Sequence, residues 1–250
     1  MTPTLPLSLP LDRPTVATFV KTDSHQVVEV LALCALDYAV LDAEHAPFDR
    51  ASMDRMLFAA RAVGLPMLVR VPDRRDATIL SVLDLGAAGI VVPHVDSAAQ
   101  AREVVAAARF IGGRRGLSLS ARYGGYGTRS RDEAVAEGDR SLVVCQIESE
   151  AALAAVDAIA AVPGVGALLI GRADLALSLG VDGPRHARVL AAVDRIIAAA
   201  RERGLPVIMA IGADAEVAEF RARGAQSFIV GSDQSLLRGA ASRLRTLVSA

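Results

Sequence analysis

The sequence has no tryptophan and only one lysine, Lys21, although it contains 250 residues and 27 basic side chains. All other basic residues are arginines, so a mechanism that needs a lysine Schiff base has a single candidate. The two cysteines, Cys34 and Cys145, lie in apolar runs and form no C-x-x-C pattern, which argues against a disulfide framework or a zinc site. We expect Cys34 to pack in a helix core and Cys145 in a strand, in a reducing compartment.

An excess of charge of one sign is also missing, because 27 basic residues face 28 acidic ones and the formal net charge is −1. No nucleic-acid partner is expected, since proteins that bind phosphate backbones carry basic surfaces. No stretch reaches the roughly 18 apolar residues of a membrane span, and the N-terminus lacks the basic start and long apolar core of a signal peptide. We therefore expect a cytoplasmic protein without membrane contact.

Short β-branched and apolar runs recur about eight times, and an alanine-rich segment with helical spacing follows each of them. The predicted strands are residues 15–20, 38–41, 67–71, 89–92, 142–147, 167–170, 206–210 and 227–230. Eight such units favour a single α/β domain, a closed (β/α)₈ TIM barrel, over an open doubly wound sheet. No G-x-G-x-x-G follows the first strand, which further weakens the open sheet. We expect an N-terminal extension over residues 1–12 and the barrel over residues 13–250.

One connection, residues 111–139 between the fourth and fifth strands, is unusually long and rich in glycine and arginine. Long loops in compact domains are usually functional, and a disordered insertion is the alternative. Its Arg122, Tyr123 and Tyr126 are candidate contact residues. Elsewhere the helices are regular: an amphipathic helix is predicted over residues 191–203, and Gly204 follows it as a C-terminal cap.

Polar side chains cluster where the predicted strands end, which is where (β/α)₈ barrels carry their active sites. They are Asp42, Glu44 and His45 after strand two, Arg70 at the end of strand three, His94 after strand four, Gln146 and Glu148 at strand five, and Asp174 after strand six. Glu148 and Asp174 are candidate ligands of Mg²⁺ or Mn²⁺, because hard cations prefer carboxylate oxygens. Alternatively, Glu148 caps the following helix and Asp174 occupies a helical first turn, where the dipole favours an anion.

His45 and Arg70 are the candidate base and electrophile of this cluster. Asp42, three residues before His45, can hold its imidazole in one tautomer, although a histidine at a loop start is often only a surface residue. Arg70 ends an otherwise apolar strand, and a buried arginine needs an anion. That anion is either a structural carboxylate, Asp42 or Asp84, or a substrate oxygen on which negative charge develops.

Taken together, these segments resemble the HpcH/HpaI aldolase family, the class II pyruvate aldolases. The resemblance spans roughly residues 15–240 and rests on LDAEHAPFD (41–49), LVRVP (68–72), VLDLGAAGIVVPHV (82–95), CQIES (145–149), GRADLALSLG (171–180) and VGSD (230–233). It implies a (β/α)₈ barrel assembled as a homo-oligomer, a hexamer or trimer, in which the C-terminal helix is exchanged between neighbours.

The resemblance also implies a role for each matching residue. Glu148 and Asp174 would hold Mg²⁺ or Mn²⁺, with Co²⁺ as a further option. Arg70 would polarise the keto oxygen, and His45 would act as base with help from Asp42 or Asp84. The substrate would contact Phe19, Gln146, Gly171, Arg172, Ala173 and Ile211, with the amides of residues 171–174 receiving its carboxylate.

The implied activity is a metal-dependent carbon–carbon lyase that cleaves or forms 4-hydroxy-2-keto acids from a 2-keto acid and an aldehyde, through a pyruvate enolate held by the metal. Three positions depart from the family pattern: Arg172 replaces proline, His94 replaces methionine and Phe19 replaces tryptophan. An alternative is therefore a citrate-synthase-like or other condensing enzyme or lyase of the family, in which Arg172 binds an extra carboxylate. A third alternative is a catalytically silent metabolite-binding paralogue.

Overall fold

The computed structural model describes residues 7–212 and 215–249, and it confirms the closed barrel. Eight parallel strands follow one another in chain order around the barrel, and the last pairs with the first. The strands are β1 Thr15–Val20, β2 Ala39–Asp42, β3 Met67–Arg70, β4 Gly89–Val92, β5 Leu142–Ile147, β6 Ala167–Ile170, β7 Val207–Ile211 and β8 Ser227–Ser232. Each observed strand lies within two residues of its predicted bounds.

Helices surround the barrel within the described residues. They are α1 His25–Ala32, α2 Arg50–Ala62, α3 Asp76–Asp84, α4 Ala98–Ala108, α5 Arg131–Gly138, α6 Glu150–Ala154, α7 Val156–Ala160, α8 Arg172–Ser178, α9 Ala187–Glu202, α10 Ala215–Arg223 and α11 Asp233–Ser249, with a 3₁₀ segment at Arg122–Gly127. The predicted helix over 191–203 is α9, and Gly204 after it has a φ of 64°. That left-handed conformation is the one that favours glycine at a helix C-terminus.

Two apolar layers hold the strands in place. The outer layer packs strands against helices and contains residues such as Leu41, Val69 and Ile90. The inner layer fills the barrel with side chains that alternate with the outer ones, including Val40 and Leu68. Because side chains on a strand alternate between faces, the residue two positions after each inner side chain also points inward, one layer nearer the carboxyl ends of the strands.

The long connection over residues 111–139 is ordered, so the structure does not support the disordered alternative. It contains the 3₁₀ segment and α5, and it joins the end of α4 to the start of β5. Tyr123 is buried and its hydroxyl accepts a hydrogen bond from the Ser118 amide at 2.8 Å. Arg122 is buried and ion-paired with Asp54. Both residues therefore pack structurally, at the barrel end where strands begin.

Three smaller expectations concern the termini, the cysteines and the membrane. The predicted extension, residues 1–12, lies partly outside the described residues, whereas Leu9 is buried in the inner layer. Cys145 is buried in β5 as predicted, but the prediction for Cys34 is wrong, because this residue lies exposed after α1. Across residues 7–212 and 215–249, we find no helix with the length and apolarity needed to cross a bilayer.

Candidate active site

The polar cluster at the carboxyl ends of the strands follows from the inner layer of the barrel. Val40 and Leu68 belong to this layer, and Asp42 and Arg70 stand two residues later on the same strands. Asp42 and Arg70 are also direct partners in the register between β2 and β3. The strand period therefore turns both polar side chains into the barrel mouth, side by side.

Asp42 is fully buried and is held by two cations. Arg70 donates from Nε to Oδ1 at 2.9 Å and from Nη2 to Oδ2 at 2.8 Å, and the Lys21 ammonium lies 3.0 Å from Oδ2. Burial alone would raise the pKa of Asp42, but hydrogen bonds and charge from Arg70, then from Lys21, outweigh it and lower the pKa. Asp42 is thus a fixed anion that orients Arg70.

The guanidinium of Arg70 keeps one nitrogen, Nη1, for a ligand. Its Nε and Nη2 are taken by Asp42, and its plane lies over the Phe19 ring, 4.7 Å from the ring centroid. Within the described part of the chain, Nη1 has no protein hydrogen bond. The structural alternative for Arg70 is therefore present in the fold, and it leaves the third nitrogen available to a substrate oxygen.

His45 is exposed, as its alternative role as a surface residue predicts, with 58% of its side chain accessible. Asp42 contacts its backbone amide, which donates to Oδ1 at 3.3 Å, rather than its imidazole. Among the described residues, the carboxylate within ion-pair distance of the imidazole is Glu44, whose Oε2 lies 3.8 Å from Nε2. Glu44, not Asp42, is therefore the acidic neighbour of the His45 ring.

Glu44 is a largely buried carboxylate at the centre of the mouth. Its Oε2 lies 3.3 Å from Arg70 Nε but has no hydrogen-bond partner within the described residues. Burial raises the pKa of Glu44 and the Glu148 charge adds to this rise, while Arg70 and the two nearby histidines only partly offset it. Among the described residues, Glu44 Oε2 is thus an acceptor without a hydrogen-bond donor, and it lies between Arg70 and His45.

Glu148 lies just past β5 and is 2% exposed. Its Oε1 accepts a hydrogen bond from the His94 amide at 2.8 Å, and the His94 Nδ1 lies 3.1 Å from the same oxygen. Its Oε2 accepts a short hydrogen bond from Gln146 Nε2. The alternative role as a helix cap is not observed, because Ser149 caps α6 by accepting from the Ala152 amide.

The surroundings of Glu148 fit a divalent cation. In the described part of the chain, no arginine or lysine lies within ion-pair distance of this buried carboxylate, and an unpaired buried charge is costly. The neighbouring Gln146 Oε1 is also buried, and it has no hydrogen-bond partner among the described residues. Gly171 leaves room beside the carboxylate, since a Cβ there would lie 2.8 Å from Glu148 Oε2. Residues 7–212 and 215–249 contain no ready-made group of three or more His, Cys, Asp or Glu ligands.

Asp174 occupies the first turn of α8, as its structural alternative predicts, and it is exposed there together with Ala173. Gly171, the N-cap of α8, packs against Glu148, so α8 begins beside the metal candidate. The Gly171 amide donates to the Ile147 carbonyl at 3.1 Å. This amide is therefore part of the barrel ladder and is not available for a substrate carboxylate, whereas the amides of residues 172–174 begin the helix.

Arg172 points away from the cluster, contrary to the expectation that it binds substrate. It is buried between the barrel and α10, where it donates to both carboxylate oxygens of Glu216 at 2.8 and 3.1 Å and to the Ala210 carbonyl at 3.3 Å. Its guanidinium also stacks over Phe220, 4.4 Å from the ring centroid. Both Nη atoms of Arg172 are therefore occupied by protein acceptors, whereas its buried Nε has no partner among the described residues.

Asp84 is not brought to the site within this chain. It ends α3, beside the start of β4, and thus lies near the opposite end of the barrel from Asp42. There it pairs with Arg115 at 3.1 Å. Ile211, in contrast, ends β7 and is 4% exposed at the carboxyl ends of the strands.

Two residues of the cluster, Glu44 and His94, were given no role from the sequence, and Lys21 was considered there only as the single Schiff-base candidate. In the sequence, Lys21 has the features of a solvated rim residue after β1. The pairing of β1 with β2 brings it to Asp42, and this pairing is visible only in the structure. Glu44 belongs to the same D-x-E-H motif as Asp42 and His45, and only those two residues were given a role. The sequence did distinguish His94, because it replaces the methionine of the family pattern. Its left-handed backbone, with a φ of 54°, is unusual for a residue other than glycine.

Comparisons with known proteins agree over almost the whole chain. The model of the HpcH/HpaI aldolase/citrate lyase family matches residues 15–240. The 5-keto-4-deoxy-D-glucarate aldolase of Klebsiella pneumoniae subsp. pneumoniae is 36% identical over 218 residues, 86% of this chain and 85% of that protein. A crystal structure of a family protein from Burkholderia cenocepacia J2315 is 32% identical with a TM-score of 0.92 over 96% of each chain. The structure of citrate synthase SbnG is 28% identical with a TM-score of 0.85, covering 95% of this chain and 94% of that one.

Proposed function

Since the chain belongs to the HpcH/HpaI aldolase/citrate lyase family, we propose that it is a divalent-metal-dependent aldolase that cleaves or forms 4-hydroxy-2-keto acids. The observation that carries this proposal is that, among the described residues, one barrel mouth holds both a buried carboxylate without an arginine or lysine partner and an arginine whose Nη1 has no protein hydrogen bond. Glu148 supplies the first feature and Arg70 the second. A 2-keto acid needs both, because its keto oxygen gains negative charge as the carbon–carbon bond breaks.

Glu148 and Asp174 would hold Mg²⁺, Mn²⁺ or Co²⁺, which are cations that accept carboxylate ligands. When bound, the cation supplies positive charge that stabilises an enolate. Asp42 holds the Arg70 guanidinium in one plane, so Nη1 is presented without the entropy cost of ordering a free side chain. Phe19 and Ile211 line the mouth with apolar surface.

His45 would take the proton of the 4-hydroxyl group in cleavage and return it in condensation. Its exposed ring can reach solvent, and its Nε2 lies 3.8 Å from the Glu44 carboxylate. The amides of residues 172–174 are the remaining candidates to receive the substrate carboxylate. The proposed substrates are therefore a 2-keto acid and an aldehyde.

The proposal is tested by pyruvate release from 4-hydroxy-2-keto acids, with metal, with EDTA, and with metal restored. Glu148→Gln and Asp174→Asn should each abolish metal-supported turnover and weaken Mn²⁺ binding measured by calorimetry. Glu150→Gln, an exposed position on α6, is the matched control and should bind Mn²⁺ as the wild type does. Full activity in EDTA after exhaustive metal removal would contradict the proposal.

A condensing enzyme of the same family is the second candidate, and the similarity to citrate synthase SbnG favours it. The expectation that Arg172 binds an extra substrate carboxylate loses support, because its guanidinium is bound to Glu216. Formation of a tricarboxylate from oxaloacetate and an activated acetyl donor, without aldol cleavage, would select the condensing enzyme. A chain that binds metal and pyruvate but exchanges no methyl protons would be the silent paralogue.

We also infer a homo-oligomer with an exchanged C-terminal helix, either a hexamer or a trimer. The supporting feature is α11, whose apolar side chains are exposed: Leu236, Leu237, Leu244, Leu247 and Val248. Exposed leucines repeated along one helix are typical of a surface that another subunit covers. Light scattering on the full chain and on Leu244→Glu together with Leu247→Glu would test it, and an unchanged mass would contradict it.

A further inference from the structure

We propose that the cavity beside the barrel mouth, between the β3–α3 and β4–α4 loops, binds the anionic far end of the substrate, and that Arg74 is the residue that recognises it. This inference rests on the proposed function, which places a 2-keto acid between Arg70 and Glu148. The cavity has a volume of about 490 Å³. Its lining residues are Pro72, Asp73, Arg74, Arg75, Pro93, His94 and Glu103.

Arg74 is the distinctive charge of this cavity. It is partly buried, and it makes no hydrogen bond or ion pair with any residue of the described ranges 7–212 and 215–249. The adjacent Arg75 differs, because Asp73 accepts from its Nε at 2.8 Å and from its Nη2 at 2.5 Å. Asp73 and Arg75 therefore neutralise each other, and no described carboxylate neutralises the positive charge of Arg74.

The remaining acidic residue of the lining, Glu103, forms no ion pair with Arg74 in the described structure. Glu103 is exposed on α4 and lies in the field of Arg114, whose pKa is raised by Asp76 first and by Glu103 more weakly. A partly buried guanidinium without a protein anion is suited to a ligand anion. Its planar fork of donors matches a carboxylate or a phosphate.

His94 connects the cavity to the metal candidate. Its ring is 64% exposed and lines the cavity, while its Nδ1 lies 3.1 Å from Glu148 Oε1 and its Nε2 lies 3.6 Å from Glu44 Oε1. The His94 amide is fixed on Glu148 as well. A ligand that starts at Glu148 and extends past His94 therefore enters the cavity.

Arg70 and Arg74 are close enough along the chain for one substrate to contact both. Arg74 follows Arg70 by four residues, so their Cα atoms are at most about 14 Å apart. Both arginines also have long side chains that can turn toward the same ligand. The substrate class is thus a 2-keto acid whose far end carries a carboxylate or another anionic group.

The experiment compares two six-carbon 2-keto acids, 2-oxoadipate and the uncharged-end analogue 2-oxohexanoate, by calorimetry with Mn²⁺ present. The wild type should bind 2-oxoadipate about 10–100-fold more tightly, which is the usual worth of one charge-assisted contact. Arg74→Gln should remove that preference and leave 2-oxohexanoate binding unchanged. Arg102→Gln, which removes a charge from exposed α4 outside the cavity lining, should keep the preference.

A wild type without the preference would overturn the assignment, and so would a preference that survives in Arg74→Gln. An equal loss in Arg102→Gln would also overturn it, because a general positive field would then explain the selectivity. Deuterium exchange into the methyl group of pyruvate is measured separately. Absence of exchange in the metal-loaded wild type contradicts the aldolase proposal, while the binding comparison still decides the role of Arg74.

Discussion

Removing the Arg172 guanidinium tests whether this residue holds the fold or selects the substrate. Arg172 is 6% exposed and gives three hydrogen bonds, two to Glu216 and one to the Ala210 carbonyl. Breaking a buried ion pair by removing one partner typically costs about 3–5 kcal/mol. Here Arg185 still contacts Glu216 at 3.1 Å, so we expect Arg172→Gln to lower the free energy of unfolding by about 2–4 kcal/mol.

For a chain of this size, each kcal/mol corresponds to about 2–4 °C in Tm, so the expected loss is about 4–16 °C. Calorimetry and urea unfolding of Arg172→Gln, Glu216→Gln and the double variant would measure it, and the two single losses should not add. Arg185→Gln is the control, because its side chain is 58% exposed and should cost under about 1 kcal/mol. An unchanged Tm in Arg172→Gln, with selective loss of activity toward anionic acceptors, would refute the structural role.

Four further predictions concern the barrel mouth. Arg70→Lys should lower kcat and kcat/KM together by about 10²–10³, because lysine lacks the planar guanidinium that binds Asp42 through two nitrogens and presents the third in a fixed position. A change in KM alone would contradict this prediction. Gly171→Ala should weaken Mn²⁺ binding about 10–100-fold with unchanged circular dichroism, since its Cβ would fall 2.8 Å from Glu148 Oε2; unchanged binding would exclude Glu148 as a ligand. Because the pKa of Asp42 is lower in the folded protein than in the unfolded chain, where it is about 3.9, ionised Asp42 stabilises the fold at pH values above the unfolded pKa. This stability is lost as the pH falls through the folded pKa. The difference in urea midpoint between the wild type and Asp42→Asn should therefore shrink on acidification. Borohydride with pyruvate should leave the protein mass unchanged, because Lys21 is held by Asp42 at 3.0 Å; an adduct on Lys21 would overturn the metal-dependent class.

The sequence alone predicted the barrel because its signals are local. Eight apolar runs with helical segments between them specify strand and helix by periodicity, and observed bounds such as Thr15–Val20 and Gly89–Val92 coincide with the predicted ones. The place of the site also followed, since the polar residues after those runs must meet at one end of a closed parallel barrel. Asp42, Arg70, Gln146 and Glu148 were therefore identified correctly as neighbours of one mouth.

Pairing between charged side chains was decided only by the tertiary structure. Arg172 stands in a site motif, yet its guanidinium turns to Glu216, 44 residues later in the chain. Asp84 belongs to a matching segment but lies at the far end of the barrel, where Arg115 meets it. Sequence periodicity predicts the face of a strand or helix on which a side chain lies. The ion-pair partner of a long flexible side chain depends instead on distance and burial, and these depend on every neighbouring element. For the same reason only the fold distinguished Arg75, which Asp73 neutralises, from the adjacent Arg74, which has no ion-pair partner among the described residues.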